Sequence, residues 1–175
     1  MIKLTFTILM FLAISSFAKA TDVYQTNEQF LAQTFNGNVP KANVMWLNAE
    51  DKETISSIMS RKFNKLRIRY WQQNDKTAWI IDEIGKEKPI TIGVHIEQNK
   101  IINLSVLAFR ESRGDEVRHQ FFTKQFINAQ IDEENQLNQN IDGITGATMS
   151  VRALKKVARL TLWLDSKTKP KLAKS

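Results

Sequence analysis

Leu66-Arg67-Ile68-Arg69-Tyr70-Trp71-Gln72 alternates apolar and polar side chains. After the turn Gln73-Asn74-Asp75, the run Thr77-Ala78-Trp79-Ile80-Ile81-Asp82-Glu83-Ile84 continues in β-branched and aromatic residues. Alternation with period two places one set of side chains on each face of an extended strand. Asn and Asp favour the tight turn between two such runs. The pair therefore predicts a hairpin. Pro89 to Gln98 and Ile101 to Phe109 are two further β-branched runs, separated by Asn99-Lys100. Together the four predict an antiparallel meander at the centre of the fold.

The flanking segments repeat at helical spacing instead. Asn27 to Phe35 carries Phe30, Leu31 and Thr34-Phe35 and is broken by Asn36-Gly37-Asn38-Val39-Pro40. Glu50 to Phe63 repeats Ile55, Ile58, Met59 and Phe63, and Asp115 to Ile127 places Val117, Phe121, Phe122 and Phe126 on one face. Thr148 to Trp163, with Ala153, Leu154, Val157, Ala158, Thr161 and Leu164 as its stripe, predicts the last and longest helix. Ile131 to Asn140 is amide-rich and reads as surface. The fold class is α+β, a single domain with a central antiparallel sheet flanked by helices.

The 175 residues include 25 basic and 18 acidic side chains, a formal charge of +7, and no cysteine. Met1 to Val151 holds 17 basic and 17 acidic residues, so the excess lies in the last 24, which hold 8 basic residues and Asp165. Charge gathered at one end disfavours a nucleic-acid-binding fold, and no nucleic-acid partner is expected. Without cysteine there are no disulfides, thiolate metal sites or covalent c-type haem. Lys3, the apolar run Leu4 to Phe17 and Ala18-Lys19-Ala20 form a secretory signal pattern. The expected divisions are residues 1–20 as signal, 21–165 as the domain and 166–175 as a basic tail. The expected location is the periplasm, with association to the inner membrane. His95, Asp82-Glu83 and Asp132-Glu133-Glu134 read as structural or solvated groups, so neither a metal site nor a general acid/base pair is expected.

One stretch is set apart by its chemistry. Asp142-Gly143-Ile144-Thr145-Gly146-Ala147-Thr148-Met149-Ser150 packs small residues and hydroxyls against the start of the last helix. Small residues let backbone approach a ligand closely. A helix start offers unpaired N–H groups and the positive end of the dipole. Taken alone, this pattern reads first as a turn followed by a capped helix.

The run resembles the flavinylation motif of the FMN-binding domain family, which includes the C and G subunits of sodium-pumping NADH:quinone reductase and of the ion-pumping ferredoxin-linked complex. The motif asks for Asp, two spacers, Ser or Thr, Gly, Ala, Ser or Thr, a spacer, then Ser or Thr. Asp142, Thr145, Gly146, Ala147, Thr148 and Ser150 fill these places, with Gly143 between the first two. The resemblance extends from about Ile80 to Leu164. It implies FMN joined through its phosphate to Thr148 by a phosphodiester, made from FAD by a periplasmic flavin transferase. It also implies a role for Glu111, in the loop Arg110-Glu111-Ser112-Arg113-Gly114, while Arg152, one helical turn beyond Thr148, is a candidate to balance the charge of an attached phosphate. That loop departs from the Thr-x-Gly-Leu-Gly-like run common in the family. Trp46, Trp71, Trp79 and Trp163 are candidates to stack on the flavin, although a tryptophan is more often simply a core residue. The implied function is an exported electron carrier, rather than a stand-alone enzyme, working between a membrane donor and a periplasmic acceptor. The alternatives are a peripheral FMN-bearing subunit of a membrane redox complex and a non-redox exported binding protein.

Overall fold

A computed structural model describes residues 22–168, so the signal (residues 1–20) and most of the basic tail lie outside the described residues. In chain order the elements are β1 (Asp22–Val23), α1 (Asn27–Thr34), β2 (Ala42–Trp46), α2 (Ala49–Met59), β3 (Arg67–Gln73), β4 (Lys76–Ile84), β5 (Pro89–Glu97), β6 (Lys100–Phe109), α3 (Gln120–Thr123) and α4 (Thr148–Thr168). The strands form one antiparallel sheet in the order β1-β6-β5-β4-β3-β2. The expected meander β3 to β6 is its centre, and short strands are added at both edges.

Capping sets the helix starts. Thr26 Oγ1 accepts from the Gln29 N–H at 3.2 Å while Gln29 Oε1 accepts from the Thr26 N–H at 2.9 Å, and Asn48 with Asp51 repeats the exchange at 2.8 and 3.1 Å. α2 ends earlier than its periodicity suggests, because Ser60 turns left-handed at φ 53°. Phe63 stays in the core from beyond the helix.

α2 and α4 pack on one face of the sheet, where Trp79 is fully buried and stacks on Tyr70 at 4.8 Å. α1 covers a smaller area of the other face, and its Phe30 ring would lie 2.9 Å from a Cβ placed on Gly93. Every member of the predicted α4 stripe is buried. The helix runs to Thr168, past the expected end at Trp163. Asp165, the one acid of the basic C-terminal stretch, is fully buried. Its Oδ1 accepts from Thr77 Oγ1 at 2.6 Å, and that hydroxyl accepts from Trp79 Nε1 at 3.0 Å. These bonds tie the far end of α4 to the middle of β4.

The segment 115–127 differs from the expected continuous helix. It is a 3-10 turn (Asp115–Arg118), α3, and a second 3-10 turn (Lys124–Phe126), interrupted where His119 is extended at ψ 148°. The break turns Phe121 outward, while Val117, Phe122 and Phe126 remain buried.

Candidate functional site

The start of α4 is built by a turn and by a close packing contact. Gly146 adopts φ +87°, a left-handed conformation that favours glycine, and the Ala147 N–H donates to the Ile144 carbonyl at 3.0 Å. The Val151 N–H donates to the Ala147 carbonyl at 2.9 Å, which makes Thr148 the first helical residue. The N–H groups of Thr148, Met149 and Ser150 therefore have no carbonyl one turn back within the helix. Gly114, at φ +89°, presses against this turn: a Cβ there would stand 2.7 Å from Ser150 Oγ and 3.4 Å from Ala147. Ala147 and Ser150 are buried against it, whereas Thr148 and Met149 are exposed.

Thr148 opens onto a cleft of about 550 Å³ with three walls. Residues 146–150 form the first, and Glu111, Ser112 and Arg113 of the loop after β6 form the second. Lys86 and Glu87 of the β4–β5 turn form the third.

Glu111 holds the second and third walls together. Its Oε1 accepts from the N–H groups of Lys86 (2.5 Å), Glu87 (2.6 Å) and Lys88 (2.9 Å). Gly85 makes room for this, since a Cβ there would be 2.8 Å from the same oxygen. Burial pushes the Glu111 carboxyl upward, but the three N–H donors and the Lys86 ammonium outweigh it and hold the group below the usual carboxylate range. Glu111 thus positions the turn that carries Lys86.

Several expected site residues lie elsewhere. Asp142, Gly143 and Thr145 are exposed beside the cleft but do not line it. The Asp142 N–H donates to Gln125 Oε1 at 2.7 Å, and its Oδ1 accepts from Asn140 Nδ2 at 2.9 Å. A Cβ placed on Gly143 would meet nothing within 4 Å, and this glycine carries no positive φ. Arg152 faces a different cleft, of about 600 Å³, shared with Lys155, Lys156 and Arg159. None of the four tryptophans lines the Thr148 cleft. Met149 supplies its largest apolar side chain. Lys86 and Glu87 were not expected here, and their only sequence signal is the Gly85-to-Pro89 turn.

Among the described residues, no three His, Asp or Glu side chains gather as a metal site requires. Asp132 instead accepts from the N–H groups of Glu134 (3.0 Å) and Gln136 (2.8 Å), which closes its own turn.

The cleft suits a phosphate-bearing ligand. Free N–H groups at a helix start, the helix dipole, and Lys86 and Arg113 on the opposite walls all favour an anion. Its volume is ordinary for a cofactor site, but it lacks the aromatic walls that usually bury a flat ring. Residues 85–162 match the FMN-binding domain family. This segment belongs to that family. All three walls of the cleft fall inside the match, whereas β1 to β4, α1 and α2 precede it. A comparison with curated proteins found no match. The match supports FMN as the ligand of this segment, and FMN, where bound, would supply redox chemistry.

Proposed function

We propose that FMN is carried on Thr148 as a phosphodiester and that the chain is an exported electron carrier between a membrane donor and a periplasmic acceptor. The observation that carries this reading is the exposure of the Thr148 hydroxyl, at the first position of α4, into a cleft with an anion-binding wall and no aromatic wall. Such a cleft holds the phosphate end well and the isoalloxazine ring poorly. Without a covalent bond, a flavin in a flavin-poor compartment would dissociate and be lost.

Attachment joins Thr148 Oγ1 to the FMN phosphorus of FAD. The bond to the adenylate oxygen breaks, AMP leaves, and the hydroxyl proton passes to solvent or base. Among the described residues, no His, Asp or Cys lines the cleft, Glu111 Oε1 is taken by backbone donors, and no hydrogen bond joins Glu87, the other carboxylate in its walls, to the Thr148 hydroxyl. An external flavin transferase therefore performs the step. In the loaded protein, the α4 N–H groups, Lys86 and Arg113 balance the phosphate charge. Ser150 and Gly114 hold the helix start in place.

The test is coexpression with a flavin transferase followed by intact-mass measurement and in-gel fluorescence after denaturation. Thr148→Ala should carry no flavin and Thr148→Ser should retain it. Flavin that stays covalently bound to Thr148→Ala overturns the site assignment. Co-purification with integral membrane subunits would mark a fixed subunit of a larger complex, not a free carrier.

A further inference from the structure

The charge of the domain body is balanced as a whole but not locally. Arg61, Lys62, Lys65, Arg67 and Arg69 fall within nine residues that include no acid. The register places them at a corner where the sheet comes apart. β3 pairs with β4 only from Tyr70↔Trp79 to Gln73↔Lys76. Beyond that point Arg67 to Arg69 stay with β2, through Trp46↔Arg67 and Val44↔Arg69, while Ile80 to Ile84 stay with β5. A cleft of about 470 Å³ opens between the diverging strands. Its interior is apolar, with Met59, Phe63, Ile68, Ile81 and Leu160. Its rim carries Lys65, Arg67 and Arg69, together with Arg61, which is paired with Glu83 at 2.6 Å, and Asp82, whose carboxylate accepts from Thr91 Oγ1.

Large apolar side chains stand exposed at the same corner. Trp46 is 67% exposed and lies under the Arg67 guanidinium at 5.5 Å, and Leu66 is 62% exposed. Val44 and Ile84 are exposed too. β2 and β4 finish at this end of the sheet and β3 begins there, so the corner shares its end with the Lys86–Lys88 turn of the Thr148 cleft.

We infer that this corner docks on the surface of an anionic phospholipid bilayer. The cationic rim receives a lipid headgroup, while Trp46 and Leu66 enter the interface. Trp belongs at the boundary between apolar chains and water, and each Lys or Arg near an anionic surface adds to the attraction. Among the described residues, no helix is long and apolar enough to cross a membrane, so their attachment would be peripheral. Docking by this corner brings the Thr148 cleft to the membrane surface.

The test is sedimentation of the full chain with phosphatidylcholine vesicles, with and without phosphatidylglycerol. The parent should bind the anionic vesicles and lose them as salt rises. Lys65→Gln with Arg69→Gln should weaken binding roughly 25-fold, about fivefold per cation. Trp46→Ala should weaken it roughly tenfold. Lys155→Gln with Lys156→Gln, in the other basic cleft, should stay within about twofold of the parent. Lys65, Arg69 and Trp46 are exposed and Lys155 and Lys156 half-buried, so urea midpoints should stay close to the parent's. Flavin content by mass is read in the same samples, so a failure of flavin attachment is seen separately. The inference is overturned if the corner variants bind like the parent. It is also overturned if the charge variants lose binding while Trp46→Ala does not, since charge alone would then hold the chain to the vesicle and the apolar side chains would not enter the interface.

Discussion

Replacing Glu111 with Ala removes the acceptor of three backbone N–H groups at once. Hydrogen bonds to a charged group each contribute about 1.5–3 kcal/mol net. The three share a single oxygen, and Lys86, Glu87 and Lys88 are exposed enough for water to replace part of the loss. The expected cost is therefore about 2–4 kcal/mol rather than the sum. Urea unfolding should show a lower midpoint at unchanged slope. Glu111→Gln keeps an oxygen in place but removes its charge, and should cost about half as much. The two forms also differ in their pH dependence. The folded Glu111 carboxyl lies below its ordinary value of 4.5. Its contribution is therefore complete above that value and fades as pH falls through the folded pKa. The stability gap between parent and Glu111→Gln should accordingly narrow below about pH 4.5. An alanine variant within about 0.5 kcal/mol of the parent, or a gap independent of pH, would refute the positioning role.

Gly114→Ala should destabilise by about 2 kcal/mol, because φ +89° is strained for alanine and the new Cβ meets Ser150 Oγ. It should also lower flavin occupancy under coexpression, read by intact mass. Thr77→Val leaves the buried Trp79 indole N–H without its acceptor and should cost about 2–3 kcal/mol in urea unfolding. His95 is pushed below its ordinary 6.5 chiefly by burial, with Lys76 adding to this and Glu97 opposing it. The unfolded chain then binds the extra proton, so stability should fall as pH drops through about 6.5. His95→Gln should flatten that part of the pH–stability curve.

The meander was legible in the sequence because its strands alternate or run continuously in β-branched residues between turn signals. β2 was not. Ala42-Asn43-Val44-Met45-Trp46 is an edge strand exposed along most of its length, so it has no buried face to impose a pattern. It is a strand because β3 pairs with it, which sequence spacing does not reveal. The 115–127 segment has helical spacing, but an extended His119 interrupts it and sends Phe121 to solvent. Asp165 lies beyond the expected helix end at Trp163, and only the tertiary contact with Thr77 explains its burial.

The site divides in the same way. Gly146, Ala147, Thr148 and Ser150 are contiguous in the chain, so their motif carried them and their place at the helix start. Lys86 and Glu87 are brought to the same cleft by Glu111, a contact across more than 20 residues. Arg152 is one turn from Thr148, yet it points to another cleft, because one turn of an α-helix does not return to quite the same face.

The proposed covalent bond at Thr148 is tested most directly by peptide mass spectrometry of the segment Gly114 to Lys155 from native material. The account predicts one FMN, less water, added to the peptide that contains Thr148, with fragment ions placing it on that residue. An unmodified peptide from a flavin-transferase-competent host, or a flavin located on any other residue, would contradict it.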